Sequence, residues 1–299
     1  MTRSLITGIA GFTGRYLTQV LASRGHEIHG IVHCEENCRV EGATGIHNAD
    51  LAHLDAIERI VREVAPDHVV HLAGIAFVAH ADVEQIYRSN VVGTRQLLHA
   101  LVALDRPCRS ILIASSANIY GNRRQGALQE DMGFAPANDY GVSKVATELL
   151  ASIHANRLPL IVVRPFNYTG RGQSTQFLIP KIVAHAQQRA PVIELGNLDV
   201  ARDFSDVRTV TEIYSRLLQE PRAIGGTFNV ASGKAVSIRD VIEMVERLSG
   251  HAFDVRVNPD FLREDEVKVL QGSTERLKAL LGPLAEIPLE DTIRCMLAG

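Results

Sequence analysis

The stretch Thr7-Gly8-Ile9-Ala10-Gly11-Phe12-Thr13-Gly14 decides the fold, because it follows an apolar run at residues 5–7 and opens a segment of helical period at residues 15–23. Gly8 permits a tight turn, Gly11 lets the backbone approach a pyrophosphate, and Gly14 lets the helix pack closely. A helix that begins here directs unpaired N–H groups at phosphate oxygens. A purely structural turn is the alternative. The strand before it and the helix after it favour a dinucleotide-binding turn, in which Phe12 and Thr13 also contact the cofactor.

The rest of the first half alternates short β-branched runs with longer segments of helical period, which is typical of βαβ units. Strands are predicted at residues 5–7, 28–32, 69–72, 111–115 and 160–163, and helices at 15–23, 54–64, 91–104 and 143–156. After residue 165 the pattern weakens, then predicts helices at 207–218, 238–248 and 289–297 and strands at 227–230 and 253–257. The prediction is an α/β fold with a doubly wound parallel (Rossmann) sheet, formed by residues 1–165 and about 203–232. A smaller C-terminal α/β lobe, about 166–202 and 233–299, would bind the substrate.

The composition excludes several classes of protein. The 299 residues are 46% hydrophobic and 22% charged, with a net charge of −3, as in an ordinary globular protein. This balance argues against nucleic acid as a partner, because counterion release needs clustered Lys and Arg. No apolar stretch approaches the ~20 residues that cross a bilayer, and no signal peptide is recognisable, so no membrane association is expected.

The four cysteines lack the spacing of a disulfide framework, so we expect reduced thiols in a cytoplasmic protein. A metal site would have to use His33, Cys34 and Cys38. No second pair of ligands follows them in the sequence, and we predict no metal.

Further segments fit a dinucleotide pocket. Asp50-Leu51 is a candidate for the adenine end, and Leu72-Ala73-Gly74 ends a strand with small residues that allow close cofactor contact. The second strand ends without the acidic residue that binds the ribose diol of NAD, so NADP(H) is slightly favoured over NAD(H). His33 or Arg39 would then face the 2′-phosphate, or both are solvated loop residues.

The most specific feature is Tyr140-Gly141-Val142-Ser143-Lys144, preceded by Ser116 at a strand end. Positions four apart share a helix face, so the Lys144 ammonium is expected beside the Tyr140 hydroxyl, where it would draw the phenol pKa from about 10 toward neutrality. This pair suits general acid/base catalysis on a carbonyl/alcohol pair, and Ser116 would polarise the same oxygen. The alternative to a catalytic pair is a structural helix, in which the Tyr140 ring packs in the core and the Lys144 amine is solvated. The glycine loop, the strand-end serine and the Y-x-x-x-K helix together favour catalysis. Asn90 either supports this site or caps a helix.

These motifs resemble those of the extended short-chain dehydrogenases/reductases over essentially the whole chain. The chain most resembles the GDP-4-keto-6-deoxy-D-mannose reductases and the related GDP-mannose 4,6-dehydratases, through residues 164–170, 195–204 and 263–267. The resemblance implies nucleotide-sugar contacts, with Arg side chains suited to phosphate and a carboxylate to a ribose diol, at Asn167, Asn197, Arg202, Arg263 and Glu266. A surface salt bridge is the alternative for each Arg.

Departures from the family pattern narrow the choice among the family's reactions. The dehydratases carry a glutamate two residues before the tyrosine of the segment that ends in Tyr120, and Asn118 stands at that position here. The resemblance implies that Asn118 contacts the substrate. An amide cannot accept the proton that dehydration removes. Tyr168 replaces a commoner His or Arg, and Glu264 replaces a commoner Pro.

The sequence therefore predicts reduction of a nucleoside-diphosphate 4-keto-6-deoxy-hexose, with GDP as the expected nucleotide, by NADPH or NADH. The product would be a 6-deoxyhexose such as GDP-rhamnose or GDP-6-deoxy-talose. The alternatives are a nucleotide-sugar 4-epimerase, a 4,6-dehydratase, and a non-catalytic nucleotide-sugar or NADP sensor. The resemblance also implies a homodimer formed through two helices of each subunit, those near Val91 and Ser143.

Overall fold

The computed structural model describes residues 1–33, 38–76, 82–121, 126–261 and 268–299. Within these ranges the strands are β1 (Arg3–Thr7), β2 (Glu27–Val32), β3 (Gly45–Asn48), β4 (His68–His71), β5 (Ser110–Ala114), β6 (Leu160–Pro165), β7 (Asn167–Thr169), β8 (Val192–Leu195), β9 (Ala201–Asp206), β10 (Thr227–Val230), β11 (Ala235–Ser237), β12 (Asp254–Val257) and β13 (Val269–Leu270). The α-helices are α1 (Phe12–Ser23), α2 (Leu54–Val64), α3 (Val83–Tyr87), α4 (Gly93–Val102), α5 (Asp139–Ile153), α6 (Leu178–Gln187), α7 (Val207–Leu218), α8 (Ile238–Ser249), α9 (Glu275–Leu281) and α10 (Leu289–Leu297).

The main sheet confirms the predicted Rossmann fold. Its strands are parallel and lie in the order β10-β6-β5-β4-β1-β2-β3. The chain winds outward in one direction from β1 to β3 and then returns to β4 on the other side of β1. This reversal opens a crevice beyond the carboxyl ends of β1 and β4, which is where doubly wound sheets bind their ligands.

Both faces of the main sheet are covered by helices with apolar stripes. On one face α1 and α7 pack through buried residues such as Leu17, Leu21, Ile213 and Leu217. On the other face α2 and α4 bury residues such as Ile57 and Leu97. A sheet buried on both faces explains why its strands read as continuous apolar runs.

The second lobe has its own sheets and its own core. One sheet has the order β11-β9-β13 with β7 beside β9, and β12 pairs with β8. Helices α6, α8 and α10 cover them with a cluster that includes Ile182, Val241 and Ile293. Strand β10 belongs to the main sheet, next to β6, although it follows β8 and β9 in the chain.

Several element boundaries differ from the sequence prediction. The helix predicted at 143–156 begins at Asp139, because the Asn138 side chain accepts a hydrogen bond from the Gly141 N–H and caps it there. The helix predicted at 91–104 is a π-helical segment, Arg88–Val92, followed by α4. The short elements β3, α3, β7, β8, β9, β11, β13 and α9 were missed. Helix α6 was missed as well, although its buried residues Ile179, Ile182, Val183 and Ala186 recur at helical spacing.

Candidate functional site

The glycine loop joins β1 to α1 at the centre of the crevice. Gly8 has a left-handed backbone, with φ of +71°, and its N–H donates to the Ile31 carbonyl at 3.0 Å. A Cβ on Gly14 would lie 2.5 Å from the carbonyl oxygens of Gly8 and Ile9, so only glycine lets α1 approach this closely. Gly11 begins α1 as its N-cap residue, and among the described residues no side chain caps this end. The first N–H groups of α1 are thus suited to an anion.

Phe12 and Thr13 connect this loop to the second lobe. The Thr13 hydroxyl lies 2.8 Å from the Tyr168 hydroxyl, and the Phe12 and Tyr168 rings stack with their centroids 6.2 Å apart. The Tyr16 hydroxyl also donates to the Arg171 carbonyl at 2.8 Å. The segment after β6 therefore rests against the start of α1.

The candidate adenine end is built around the Asp50 carboxylate. Asp50 accepts hydrogen bonds from the Ala52 N–H at 2.8 Å and from Arg88 at 3.0 Å. Burial opposes ionisation of Asp50, but these two bonds and the nearby His33 hold its pKa below its ordinary value. His33 is exposed at the end of β2, and Leu51 is buried.

The candidate nicotinamide end is held together by Asn90. Its side-chain oxygen accepts from the Ile75 N–H at 2.8 Å, and its amide donates to the Ile75 carbonyl at 3.1 Å and to Ser143 at 3.0 Å. Asn90 is 1% exposed and lies inside the π-helical segment, so it does not cap a helix. A Cβ on Gly74 would meet the Asn90 oxygen at 2.7 Å and the Lys144 ammonium at 3.5 Å, which places all three together.

Leu72 and Ala73 connect β4 to this cluster. The Leu72 N–H donates to the Thr7 carbonyl at 3.2 Å, and the Ala73 N–H donates to the Thr7 hydroxyl at 3.2 Å. A Cβ on Gly8 would come within 2.8 Å of the Ala73 nitrogen. The glycine loop and the end of β4 therefore form one continuous surface.

The candidate catalytic side chains meet at the carboxyl end of β5. Ser116, Tyr140 and Lys144 are all at least nine-tenths buried, and the Ser116 hydroxyl is hydrogen bonded to the Tyr140 phenol. Asn118 donates to the Ser116 oxygen at 3.1 Å from its backbone N–H and at 3.1 Å from its side-chain amide. Ser116 thus receives two hydrogen bonds and keeps its own proton for Tyr140 or for a carbonyl oxygen.

The expectation that Lys144 draws the Tyr140 pKa toward neutrality was wrong for this structure. Burial raises the pKa of Tyr140 to about 12, although the bond with Ser116 acts to lower it. The Lys144 ammonium lies 5.9 Å from the centroid of the Tyr140 ring and donates to the Ala114 carbonyl at 2.9 Å. Burial also lowers the pKa of Lys144 to about 8. Tyr140 therefore keeps its proton at neutral pH.

The candidate substrate contacts of the second lobe lie around β9. Arg202 is on β9 and donates to the Ala201 carbonyl at 2.9 Å, and Asn167 is on the neighbouring β7. Asn197 lies in the loop before β9, where its side chain accepts from the Asp199 N–H at 2.9 Å. Arg263 and Glu266 lie outside the described residues, as does Cys34.

Sequence reasoning missed several buried charged groups, of which Asp203 and Glu148 lie next to candidate site residues. Asp203, next to Arg202, is fully buried and accepts from the backbone of Ser232, Gly233 and Gly272 at 2.7 to 3.1 Å. Glu148 is buried on α5 and pairs with Arg164. The four-residue spacing that links Tyr140 to Lys144 continues to Glu148, and this signal could have found it.

The described ranges contain neither a metal-binding cluster nor a membrane-spanning helix. No group of three or more His, Cys, Asp or Glu side chains is placed to hold a metal ion. No helix there has the length and apolar character that a membrane crossing requires.

Fold and site together define an extended short-chain dehydrogenase/reductase, an NAD(P)-dependent enzyme that acts on the CH–OH group of a nucleotide sugar. The sequence profile of the family GDP-mannose 4,6 dehydratase matches residues 5–296, and the chain belongs to this family.

Two curated relatives match nearly the whole chain. A GDP-6-deoxy-D-talose 4-dehydrogenase of Aggregatibacter actinomycetemcomitans is 31% identical over 93% of this chain and 90% of its own length. A GDP-6-deoxy-D-mannose reductase of Pseudomonas aeruginosa is 32% identical over 99% of this chain and 96% of its own.

Two solved structures share the fold and its second lobe. A protein of Burkholderia cenocepacia, provisionally described as an epimerase, is 45% identical with a TM-score of 0.93, and the match covers 99% of this chain and 97% of the other. RMD from Pseudomonas aeruginosa complexed with NADPH is 30% identical with a TM-score of 0.83, over 100% of this chain and 97% of the other.

Proposed function

We propose that this enzyme reduces the 4-keto group of a GDP-linked 4-keto-6-deoxy-hexose to a 6-deoxyhexose such as GDP-rhamnose or GDP-6-deoxy-talose. The observation that carries the proposal is the set of groups around Tyr140. A protonated phenol lies against Ser116, and Asn118 occupies the position of the glutamate that dehydration would require. The site therefore has a proton donor for a new alkoxide but lacks the dehydratase base.

The residues of the crevice fit a nicotinamide dinucleotide. The uncapped start of α1 and the crowding at Gly14 suit the pyrophosphate, and the space at Gly74 beside Asn90 and Lys144 suits the nicotinamide ribose. When bound, the reduced cofactor supplies the hydride for the ketone carbon.

Each catalytic side chain has one role in this reaction. Ser116 donates its hydroxyl proton to the ketone oxygen as a hydrogen bond and orients it. Tyr140 transfers its proton to the same oxygen as negative charge develops there. Lys144 holds a positive charge next to the phenol, which stabilises the tyrosinate that remains. Bulk solvent then reprotonates Tyr140.

The substrate contacts belong to the same proposal. Asn118 would face the sugar, while Asn167 and Arg202, on paired strands, would hold the diphosphate. Asn197, Arg263 and Glu266 would complete the nucleotide site. The names of the relatives support GDP as the nucleotide.

The decisive assay follows NADPH and NADH oxidation at 340 nm with GDP-4-keto-6-deoxy-mannose generated in situ. The dTDP- and UDP-linked 4-keto sugars serve as comparators. We expect turnover selective for the GDP sugar, and a loss of about 10²–10⁴-fold in Tyr140→Phe, which removes the proton but keeps the ring. No oxidation with any of the three ketones would refute the reductase. Turnover that survives in Tyr140→Phe would refute the role of the phenol.

A 4-epimerase is the second candidate, because the Burkholderia cenocepacia structure carries that provisional description. An epimerase uses the same tyrosine but keeps its cofactor and returns the hydride to the opposite face. Cofactor retained through purification, with sugar inversion and no net NADPH oxidation, would select it. A non-catalytic sensor would bind GDP sugars or NADPH with no turnover of any substrate.

We propose NADP(H) as the preferred cofactor. Arg88 forms an ion pair with Asp50 at the candidate adenine end, where His33 also lies nearby, and RMD from Pseudomonas aeruginosa is complexed with NADPH. The end of β2 offers a histidine and no carboxylate within the described part. A kcat/KM for NADPH at least tenfold above that for NADH is expected, and Arg88→Ala should reduce this ratio. A ratio near one would contradict the preference.

We also propose a homodimer formed through α5 and the start of α4. Exposed apolar side chains line this surface, with Val92 40%, Val142 40%, Leu149 53% and Ile153 72% exposed. Light scattering should give twice the chain mass, and Leu149→Glu should give monomers. A wild-type monomer at assay concentrations would refute the dimer.

A further inference from the structure

A buried ion pair lies directly behind the catalytic side chains. The Glu148 carboxylate accepts from Arg164 Nε at 2.9 Å and from Arg164 Nη2 at 2.8 Å, and the two side chains are 7% and 5% exposed. Arg164 also donates to the Tyr120 hydroxyl and to the Glu130 carbonyl, both at 2.9 Å. A guanidinium that binds a carboxylate with two bonds fixes its orientation, so Glu148 is held in one position.

The ion pair is connected to the strand end that carries Ser116. The Ser115 hydroxyl donates to Glu148 at 2.5 Å, and the Lys144 ammonium donates to the Ala114 carbonyl at 2.9 Å. Two α5 side chains one turn apart therefore hold consecutive residues at the end of β5. Ser116 follows immediately, so its position depends on both contacts.

We propose that Glu148, clamped by Arg164, is a positioning residue for the reduction: it anchors the strand end at Ser115 and places a negative charge one helical turn from the Lys144 ammonium. The kinetic part of this proposal rests on the proposed function, whereas the charge can be measured without turnover. The geometry assigns Arg164 the role of holding the carboxylate in place.

Among the described groups around Lys144, Glu148 is the one whose charge stabilises the ammonium. Tyr140 on α5 carries its proton, and burial lowers the pKa of His71 on β4 to about 3, so both are neutral near pH 7. Arg164 on β6 is already paired with Glu148. Burial lowers the pKa of Lys144, and Glu148 is the described group that acts in the opposite direction.

The charge can be tested on the full-length protein by NMR, because the chain has only five lysines, at positions 144, 181, 234, 268 and 278. Lysine labelled with ¹³C at Cε is incorporated, and the Lys144 signal is assigned from its absence in Lys144→Met. In the wild type we expect Lys144 to titrate near pH 8. In Glu148→Gln the midpoint should fall by about one unit, whereas in Arg164→Met it should not fall. A purely structural role would move neither midpoint.

The anchor is tested separately with Ser115→Ala, which removes the hydrogen bond but keeps the charge. We expect kcat on the keto sugar to fall about tenfold, because the Ser116 hydroxyl loses its alignment, while the Lys144 midpoint stays unchanged. The matched control is Glu58→Gln, whose carboxylate pairs with Arg62 one turn away on α2 at 2.6 Å and belongs to none of the residues assigned to the site. This control should leave kcat and the Lys144 midpoint unchanged.

The outcomes distinguish the electrostatic role of Glu148 from its anchoring role, and both roles from the proposed reductase activity. An unshifted Lys144 midpoint in folded Glu148→Gln overturns the electrostatic role, and wild-type kcat in Ser115→Ala overturns the anchoring role. If Glu148→Gln does not fold, Ser115→Ala still tests the anchoring role and Arg164→Met still tests the electrostatic role. A lowered Lys144 midpoint in Arg164→Met would contradict the proposal that the negative charge of Glu148, and not the positive charge of Arg164, acts on Lys144. A shifted midpoint in a protein that reduces none of the ketones would support the charge effect and refute the reductase instead.

Discussion

Raising the pH above 8 should lower the activity of the enzyme, because the Lys144 ammonium loses its proton. Burial lowers the pKa of this side chain to about 8, so about 90% of the enzyme carries the ammonium at pH 7 and about 10% at pH 9. The neutral amine cannot stabilise the tyrosinate or attract the ribose hydroxyls as a cation does. The value of kcat/KM for NADPH should therefore fall about tenfold between pH 7 and pH 9 and about tenfold for each further unit. Tyr140, with a pKa of about 12, keeps its proton throughout this range.

The assay measures kcat/KM for NADPH at saturating keto sugar, because this quantity reports the ionisation of the enzyme before the cofactor binds. Lys144→Arg is the matched control: its guanidinium stays charged across the range, so any remaining activity should be independent of pH up to 10. A wild-type profile that stays flat to pH 10 would refute the assignment. A limb near pH 8 that persists in Lys144→Arg would assign the ionisation to another group.

Two further predictions concern stability. Gly14→Ala places a Cβ 2.5 Å from two carbonyl oxygens, so it should lower the free energy of unfolding by about 1–3 kcal/mol and Tm by about 2–6 °C. In Gly11→Ala the atom nearest to the new Cβ lies at 3.1 Å, so this variant should keep the wild-type Tm but bind NADPH more weakly. Equal Tm values by differential scanning fluorimetry would contradict this difference. Asp203→Asn should lower the free energy of unfolding by about 1–3 kcal/mol for each donor left without an acceptor, while the exposed Asp199→Asn should be neutral in denaturant titrations. An unchanged denaturation midpoint in Asp203→Asn would show that the backbone at Ser232, Gly233 and Gly272 does not depend on this carboxylate.

The sequence predicted the class of fold because its signals are local. Residues 5–23 contain a strand, a glycine turn and a helix start that are decided by neighbours along the chain, and Tyr140 and Lys144 share a face through helix geometry alone. The prediction was weaker for the second lobe, where strands such as β7 and β11 have only three residues. Such strands form because partners from distant segments supply their hydrogen bonds, and no periodicity marks them.

Properties of the site that depend on burial were decided by the tertiary structure. From spacing alone Lys144 was expected to lower the Tyr140 pKa, but the folded environment excludes water from the phenol and directs the ammonium to Ala114, so the shift has the opposite sign. The sequence alone determined the residue types at positions 116, 140 and 144 and the helical spacing of the last two. The pairing of Arg164 with Glu148 and the contact of Thr13 with Tyr168 join segments up to 155 positions apart, and only the path of the folded chain brings them together.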